Sequence, residues 1–503
     1  MELLSNLSLG FATALTLTNL FYCFVGVLLG TLIGVLPGIG PLATIAMLLP
    51  ITYQFADPTT ALIMLAGIYY GAQYGGSTTA ILVNLPGEVS SVVTVLDGYQ
   101  MARQGRPGPA LAIAAIGSFF AGTVATVLVA AFAPVLAEVA FEFGPAEYFS
   151  LMVLGLIAAV VLAHGSVLKA LAMVVFGLLI GMVGTDVNSG VARFSFDIPE
   201  LTDGIELAAI AMGIFGFGEI IANLEQGAQR EVFTRKIGRL LPSGSELRAS
   251  AAPIVRGTAL GSFLGLLPGG GAVLSSFTSY ALEKKLSRTP ERFGKGAIEG
   301  VAGPESANNA GAQTSFIPML TLGIPTTPTM ALMIGAMMIH NIQPGPQVMT
   351  GNPTLFWGLI TSMWIGNLML VILNLPLIGI WIRLLTVPYR LLYPAILLFC
   401  CIGAYSINNN VFDVYVTLPF AVLGYVFRKL DCEPAPLLLG LVLGSLMEEY
   451  LRRAMTISRG DWSVFVTRPL SATLLAIAAV LLVIVFMPAI AKKRDEAFAE
   501  EET

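Results

Sequence analysis

The chain has 503 residues, of which 56% are apolar and only 11% charged, and its mean hydropathy is +0.82. A soluble chain carries about a quarter charged residues, so this one lacks the means to build a water-facing surface and reads as a membrane protein. Its net charge of −5 offers no basic face for nucleic acid, and no stretch has the composition of a second, soluble domain.

In chain order, the apolar runs suited to about 30 Å of hydrocarbon are residues 11–36, 110–133, 148–163, 167–183, 355–380 and 474–490. They do not alternate, so they predict helices rather than a barrel, with roughly eleven or twelve spanning or half-spanning elements in all. No basic segment precedes residues 11–36, which reads as a span and not as a cleaved signal. Cys23, Cys400, Cys401 and Cys432 lack C-x-x-C spacing and read as small buried hydrophobes.

One motif occurs twice. Residues 30–41 read G-T-L-I-G-V-L-P-G-I-G-P, and residues 261–272 read G-S-F-L-G-L-L-P-G-G-G-A, with six of twelve positions identical. Gly71-Ala72-Gln73 is echoed by Gly311-Ala312-Gln313, and Arg106-Pro107-Gly108-Pro109 by Gln343-Pro344-Gly345-Pro346. These echoes lie 231 to 240 residues apart, as in a duplicated unit. Duplicated halves with Gly/Pro-interrupted apolar segments point to a secondary transporter and its substrate site.

Charge sets the orientation. The first basic residue is Arg103, so what precedes it is outside or in the membrane, and the loop with Arg103 and Arg106 is inside. The matching loop, residues 341–352, has no Lys or Arg and is placed outside; basic residues flank the second L-P-G-x-G on both sides, whereas only acidic ones flank the first. Corresponding loops therefore face opposite sides, which reads as an inverted-topology repeat. Each L-P-G-x-G reads as the tip of a helical hairpin, with a pair of kinked ordinary helices as the alternative. The expected layout is a first repeat over 1–222 (hairpin 31–50, broken helix 59–95), a basic cytoplasmic linker over 223–252, a second repeat over 253–427 (hairpin 253–282, broken helix 300–340), and C-terminal spans with a charged cytoplasmic tail over 428–503. Residues 434–468 leave two readings open, because both ends of the last span are basic. Either 434–446 does not cross fully, or 450–468 is an interfacial helix.

The chemistry is expected at the two tips and two helix breaks, where glycines free the backbone and the side chains are hydroxyls and amides. The candidate contacts to substrate or ion are Gly38, Gly40 and Thr44; Gln73, Ser77, Thr78, Thr79 and Asn84; Gly269, Gly270, Gly271 and Ser275; and Glu305, Ser306, Asn308, Asn309, Gln313, Thr314 and Thr326. Helix N-termini attract anions, while carbonyls and hydroxyls at the breaks can hold Na⁺. None of these stretches contains Lys or Arg, which suits a substrate that must be released. The plainer reading is close helix packing through small residues. Glu88 and Glu305 could each carry a coupling proton or cap a helix; Asp97 and Glu299 are placed at the inner aqueous edge, and His164 and His340 at interfaces. No catalytic residue is assigned, since Ser77 and Ser306 lack a histidine base in a polar cluster.

With L-P-G-I-G-P, Y-Y-G-A-Q-Y-G-G-S-T-T-A-I-L-V-N-L-P-G-E and G-P-E-S-A-N-N-A-G-A-Q-T-S-F-I-P-M-L-T-L-G-I-P-T, the chain resembles the TctA-like large membrane subunit of the tripartite tricarboxylate transporters over essentially its whole length. The related TRAP-type carboxylate transporters are the runner-up. The resemblance implies an all-α polytopic permease of the bacterial inner membrane. It would work with a small TctB-like membrane subunit and a periplasmic TctC-like binding protein. It would take up a di- or tricarboxylate on a Na⁺ or H⁺ gradient without any other cofactor. It also implies an elevator-like transport domain, residues 31–87 and 261–327, moving against a scaffold, and it is compatible with a homodimer.

Overall fold

A computed structural model describes residues 2–36, 40–163, 166–186, 189–225, 239–385 and 389–487. Gly38, His164, residues 226–238 of the basic linker and the charged tail lie outside the described residues. The protein is α-helical. In chain order the first half holds α1 (Glu2–Ala14), α2 (Leu17–Val35), α3 (Gly40–Tyr53), α4 (Pro58–Val83), α5 (Val92–Arg103), α6 (Pro107–Phe141), α7 (Pro145–Leu162), α8 (Val167–Gly181), α9 (Leu207–Ala211) and α10 (Gly218–Glu225), the last two joined by a π-helical turn. The second half holds α11 (Gly244–Leu264), α12 (Gly271–Leu286), α13 (Glu299–Thr314), α14 (Phe316–Leu322), α15 (Pro328–Ile339), α16 (Gln347–Gly351), α17 (Pro353–Asn374) and α18 (Ile378–Leu385). It continues with α19 (Tyr389–Asn408), α20 (Val411–Lys429), α21 (Ala435–Ile457), α22 (Val464–Thr467) and α23 (Pro469–Val485). The only strands among the described residues are Gly184–Thr185 and Ala192–Arg193, paired antiparallel in a small hairpin. Among those residues, five helices are long and apolar enough to cross a membrane (α2, α6, α7, α17 and α20), and seven shorter apolar stretches accompany them.

Two apolar runs prove to be pairs of helices. The run 11–36 breaks at Leu15-Thr16, where the Thr16 hydroxyl accepts from the Asn19 amide (3.4 Å) and starts α2. The run 355–380 likewise divides into α17 and α18.

The two halves use the same packing device. In α2, Gly26, Gly30 and Gly34 lie against the backbone of Met64, Ile68 and Ala72 of α4; in α11 and at its C-cap, Gly257, Gly261 and Gly265 lie against Gly303, Ala307 and Gly311 of α13. A Cβ on any of the six would collide with a partner carbonyl oxygen. Both ladders advance in the same sense along both helices, so α2 runs parallel to α4 and α11 parallel to α13. The intervening α3 and α12 therefore carry the chain back. Small residues every four positions permit this close approach where lipid gives no hydrophobic drive for association. The leading glycines of the repeated motif, Gly30, Gly34, Gly261 and Gly265, thus serve packing.

Around these pairs, α6 packs on α11, α13, α14 and α17, and α17 also touches α1, α2 and α4. A second group joins α7, α8, α21 and α23. Here α21 runs parallel to α8, with Lys169 Nζ on the Leu430 carbonyl (2.6 Å) at one end and Arg452 on Asp186 (2.6 Å) at the other. α21 is unbroken from Ala435 to Ile457, so residues 450–457 are its last turns and not a separate interfacial helix. The basic cluster before the last span is largely neutralised in place. Arg452 pairs with Asp186 and Glu448, Arg453 with Glu449, and Arg468 with the buried Glu147 (2.5 Å). A count of bare arginines overstates the positive charge at that end of α23.

Candidate functional site

The polar face of α4 is built on an intact helix. Asp57 caps its start, accepting from the Thr59 amide (2.8 Å), and the helix runs through Gly71–Thr79 without interruption to Asn84, whose φ of 61° ends it. The break in the helix expected over 59–95 is therefore at residues 84–88, and the glycines upstream are held helical by the ladder with α2. Asn84 itself is exposed and terminates the helix.

Beyond the break, Glu88 caps the short turn Val89–Ser91. Its carboxylate accepts from the Ser90 amide (2.7 Å) and bonds the Ser90 hydroxyl, which also lies 2.5 Å from Gln73 Oε1. α5 then brings Thr94 and Asp97 toward the second half. Asp97 is fully buried in the protein. It accepts from the amides of Gly296 and Ala297 (both 2.7 Å) and from the Tyr280 hydroxyl (3.0 Å), so it ties α5 to the entry of α13.

The densest polar contact between the halves centres on Glu305, in the polar helix α13. Ser77 donates to its Oε2 (2.5 Å), Thr94 to its Oε1, and Asn308 Nδ2 to Oε2 (3.3 Å). Asn309 Nδ2 bonds the Glu305 carbonyl (3.0 Å), Asn308 Oδ1 (2.7 Å) and Ser118 Oγ of α6 (2.8 Å). Every side chain in this list is buried. All three partners of the carboxylate are neutral donors, an arrangement that accommodates charge in low dielectric.

Other candidates are separate from this cluster. Thr44, Ser275, Ser306 and Thr314 return their hydroxyls to carbonyls four residues back, and Thr79 donates to the Val35 carbonyl of α2 (2.7 Å). Gly40 has a φ of +64° and open space around it. At the second tip, Gly269 (φ +78°) donates its amide to the Thr326 carbonyl (2.8 Å), and Gly271 faces Thr327, while Gly270 continues the turn. The tip thus meets the break at Gly323–Thr327 directly. Gln313 Oε1 and Thr326 Oγ1 are buried with no partner among the described residues. Thr78 is buried beside Ser77.

Sequence reasoning missed Thr94, Ser118, Asn367 and Asn374. Each is a single polar residue in an apolar or mixed stretch. Asn367 accepts from the Tyr74 hydroxyl (2.5 Å) and donates to the Phe119 carbonyl (2.9 Å), linking α4, α17 and α6.

The model of the tripartite tricarboxylate transporter TctA family matches residues 20–439. The chain belongs to that family. It is 63% identical over 502 residues, the full length of both chains, to an uncharacterized 52.8 kDa protein of the TAR-I ttuC′ 3′ region of Agrobacterium vitis. It is also 63% identical over 242 residues to an uncharacterized protein of the TAR-II ttuC′ 3′ region of the same organism, covering 48% of this chain and all of that one. No solved structure matches. Family and helices together make this TctA-family chain a multi-pass membrane protein of a transport system.

Proposed function

We propose that this chain is the permease subunit of a secondary active transporter that takes up di- or tricarboxylates across the bacterial inner membrane. Uptake is driven by a gradient of Na⁺ or H⁺ and fed by a periplasmic solute-binding protein, with a small membrane subunit as the third component. The two halves act as inverted repeats, and residues 31–87 and 261–327 move as an elevator-like unit against the remaining helices.

The observation that carries this reading is the meeting of the two laddered helix pairs at Ser77 and Glu305. Hydroxyls and amides converge there, and no Lys or Arg among the described residues bonds the carboxylate. An anionic substrate is suited by the N-termini of α12, beyond the second tip, and of α15, which Thr327 caps. Such neutral donors hold a carboxylate and still release it, and a nearby cation balances its charge.

The test is uptake of labelled citrate and of a C4-dicarboxylate into proteoliposomes holding the chain with its small subunit, under imposed Na⁺ or proton gradients, with and without the binding protein. Gradient-driven uptake only with the binding protein is the expected result; no uptake of either acid under any gradient overturns it. Cysteines placed at Gln343 and Lys284 report topology, being labelled from outside and inside respectively. Labelling of both from one side overturns the inversion.

A further inference from the structure

Between α4, α6 and α17 lies a cavity of about 10 Å³, with Tyr74, Ser77, Thr78, Ser118 and Asn374 on its polar side. That is about the room taken by one water-sized sphere. The protons of its polar wall, that of the Thr78 hydroxyl apart, are committed elsewhere. Ser77 donates to Glu305 (2.5 Å) and Tyr74 to Asn367 (2.5 Å); Ser118 points its hydroxyl at the Glu305 carbonyl (3.4 Å) while accepting from Asn309. Asn374 gives its Nδ2 to the Leu370 carbonyl (2.9 Å) and to Thr31 Oγ1 (3.4 Å), and its Oδ1 has no partner among the described residues, in a side chain only 5% exposed. Besides the Thr78 hydroxyl, the groups left for an occupant are oxygen lone pairs.

We propose that this cavity binds a bare monovalent cation of about sodium's size, ligated by Asn374 Oδ1 and by hydroxyl oxygens of Ser77, Thr78, Ser118 and Tyr74. Water brings two protons to this set of acceptors and leaves the others unsatisfied; a hard cation engages all of them. The charge arithmetic agrees. Glu305, one hydrogen bond away through Ser77, is buried and its hydrogen-bond partners are all neutral, so a positive charge nearby compensates it. The site is set in the intact middle of α4, not at a helix break. It rests on the transport reading above and names that reading's coupling ion. Because the Ser77 oxygen both ligates the ion and hydrogen-bonds Glu305, ion occupancy acts directly on the charge at the contact between the halves.

The experiment uses the full-length chain in nanodiscs, titrating Na⁺ against choline at constant ionic strength and reading radioactive-sodium binding and the unfolding temperature. Saturable binding is expected, with a rise in unfolding temperature that choline and K⁺ do not reproduce. Asn374→Ala and Ser118→Ala are expected to weaken binding roughly tenfold or more, and Thr78→Val, which keeps the volume, provides the same test should the first two fail to fold. Thr321→Val, whose hydroxyl only returns to the Ile317 carbonyl (2.7 Å), is expected to bind as the unaltered chain. Absence of saturable sodium binding, as for a cavity holding water only, overturns the site, as does sodium affinity unchanged in all three variants. If gradient-driven carboxylate uptake persists in either case, the transport reading stands without it. Sodium binding that depends on Asn374 in a chain that takes up no carboxylate sustains the site and overturns the transport reading.

Discussion

The α2–α4 pair and the α11–α13 pair share a geometry and divide the chemistry. Both are parallel, both are clamped by three glycines four residues apart, and both carry a polar stretch on the clamped partner helix. Their carboxylates differ. Glu88, in the first half, closes a local turn with Ser90, while Glu305, in the second, reaches across and is held by Ser77 and Thr94 of the first half. The first pair supplies hydroxyls and the second supplies charge. Duplication has kept the backbone contacts, which leave no room for a side chain, and let the side chains on the opposite faces specialise.

Valine at Gly30 or Gly261 tests the shared part and carries the largest expected effect. Each new Cβ would meet backbone, with Ile68 Cα at 2.9 Å and Ala307 Cα at 2.7 Å, and backbone cannot step aside as a side chain can. Overpacking of this kind costs about 3 kcal/mol or more, so neither variant is expected to yield monodisperse protein on size-exclusion chromatography. Gly244→Ala, which points into open space, should behave as the unaltered chain. Good yield of one valine variant and not the other would break the equivalence of the ladders.

The divided part is tested next. Glu305→Gln keeps the shape and removes the charge; a hydrogen bond to a charged group contributes roughly 1.5–3 kcal/mol, so uptake at limiting substrate should fall by about tenfold to a hundredfold with folding intact. Glu88→Gln should leave uptake near normal, and equal losses would show that the two carboxylates are not specialised. Ser77→Ala and Asn308→Ala each remove one of the several donors on that charge, for a loss at the lower end of the same range, about 1.5 kcal/mol, or about tenfold in uptake. Thr44→Ala, which loses only an intrahelical bond, is the control.

The smallest effect lies at the start of α11, away from both pairs' polar contact. Glu246 accepts from the Ser243 amide (2.7 Å) and from Arg106 (2.6 Å), and these bonds, the Ser243 amide foremost, lower its carboxyl to about 2. A depressed carboxyl stabilises the fold fully above its unfolded value, about 4.3, and that stability is lost as pH falls through about 2. Glu246→Gln should therefore flatten the acid limb of a thermal-stability profile. Arg106→Ala should leave most of it, since an exposed ion pair contributes about 0.5 kcal/mol.

Much of the fold was legible in the sequence because apolar length translates directly into helix. The runs 148–163 and 167–183 correspond to α7 and α8 within a few residues. The division of 11–36 was hidden because apolar residues flank Thr16 on both sides. The Gly71–Thr79 stretch was expected to break, because glycine frees a chain; here α2 presses against those glycines and keeps them helical. Glu305 was legible as a carboxylate in a polar run, and Ser77 as one hydroxyl among several. Their contact was not, since it joins residues 228 apart. Nor were Thr94, Ser118 and Asn374, which matter through what the fold sets beside them. One local signal existed: Gly117, Ser118, Ala121, Gly122, Ala125 and Thr126 form a stripe of small residues on α6, the mark of a helix face closely approached by another.

The polarity of α13 bears on how the chain is made. Its sixteen residues include two glutamates, two asparagines and a glutamine, yet Gly300 through Thr314 are all buried in protein. Handed alone from the translocon to lipid, such a segment would be rejected, because a carboxylate and amides at membrane depth each cost insertion free energy. α6 and α11 are synthesised earlier and present the small-residue faces and hydroxyls that α13 needs. Membrane integration of this segment therefore follows the assembly of its neighbours, and a chain from which α6 is deleted would leave α13 without the face it packs on.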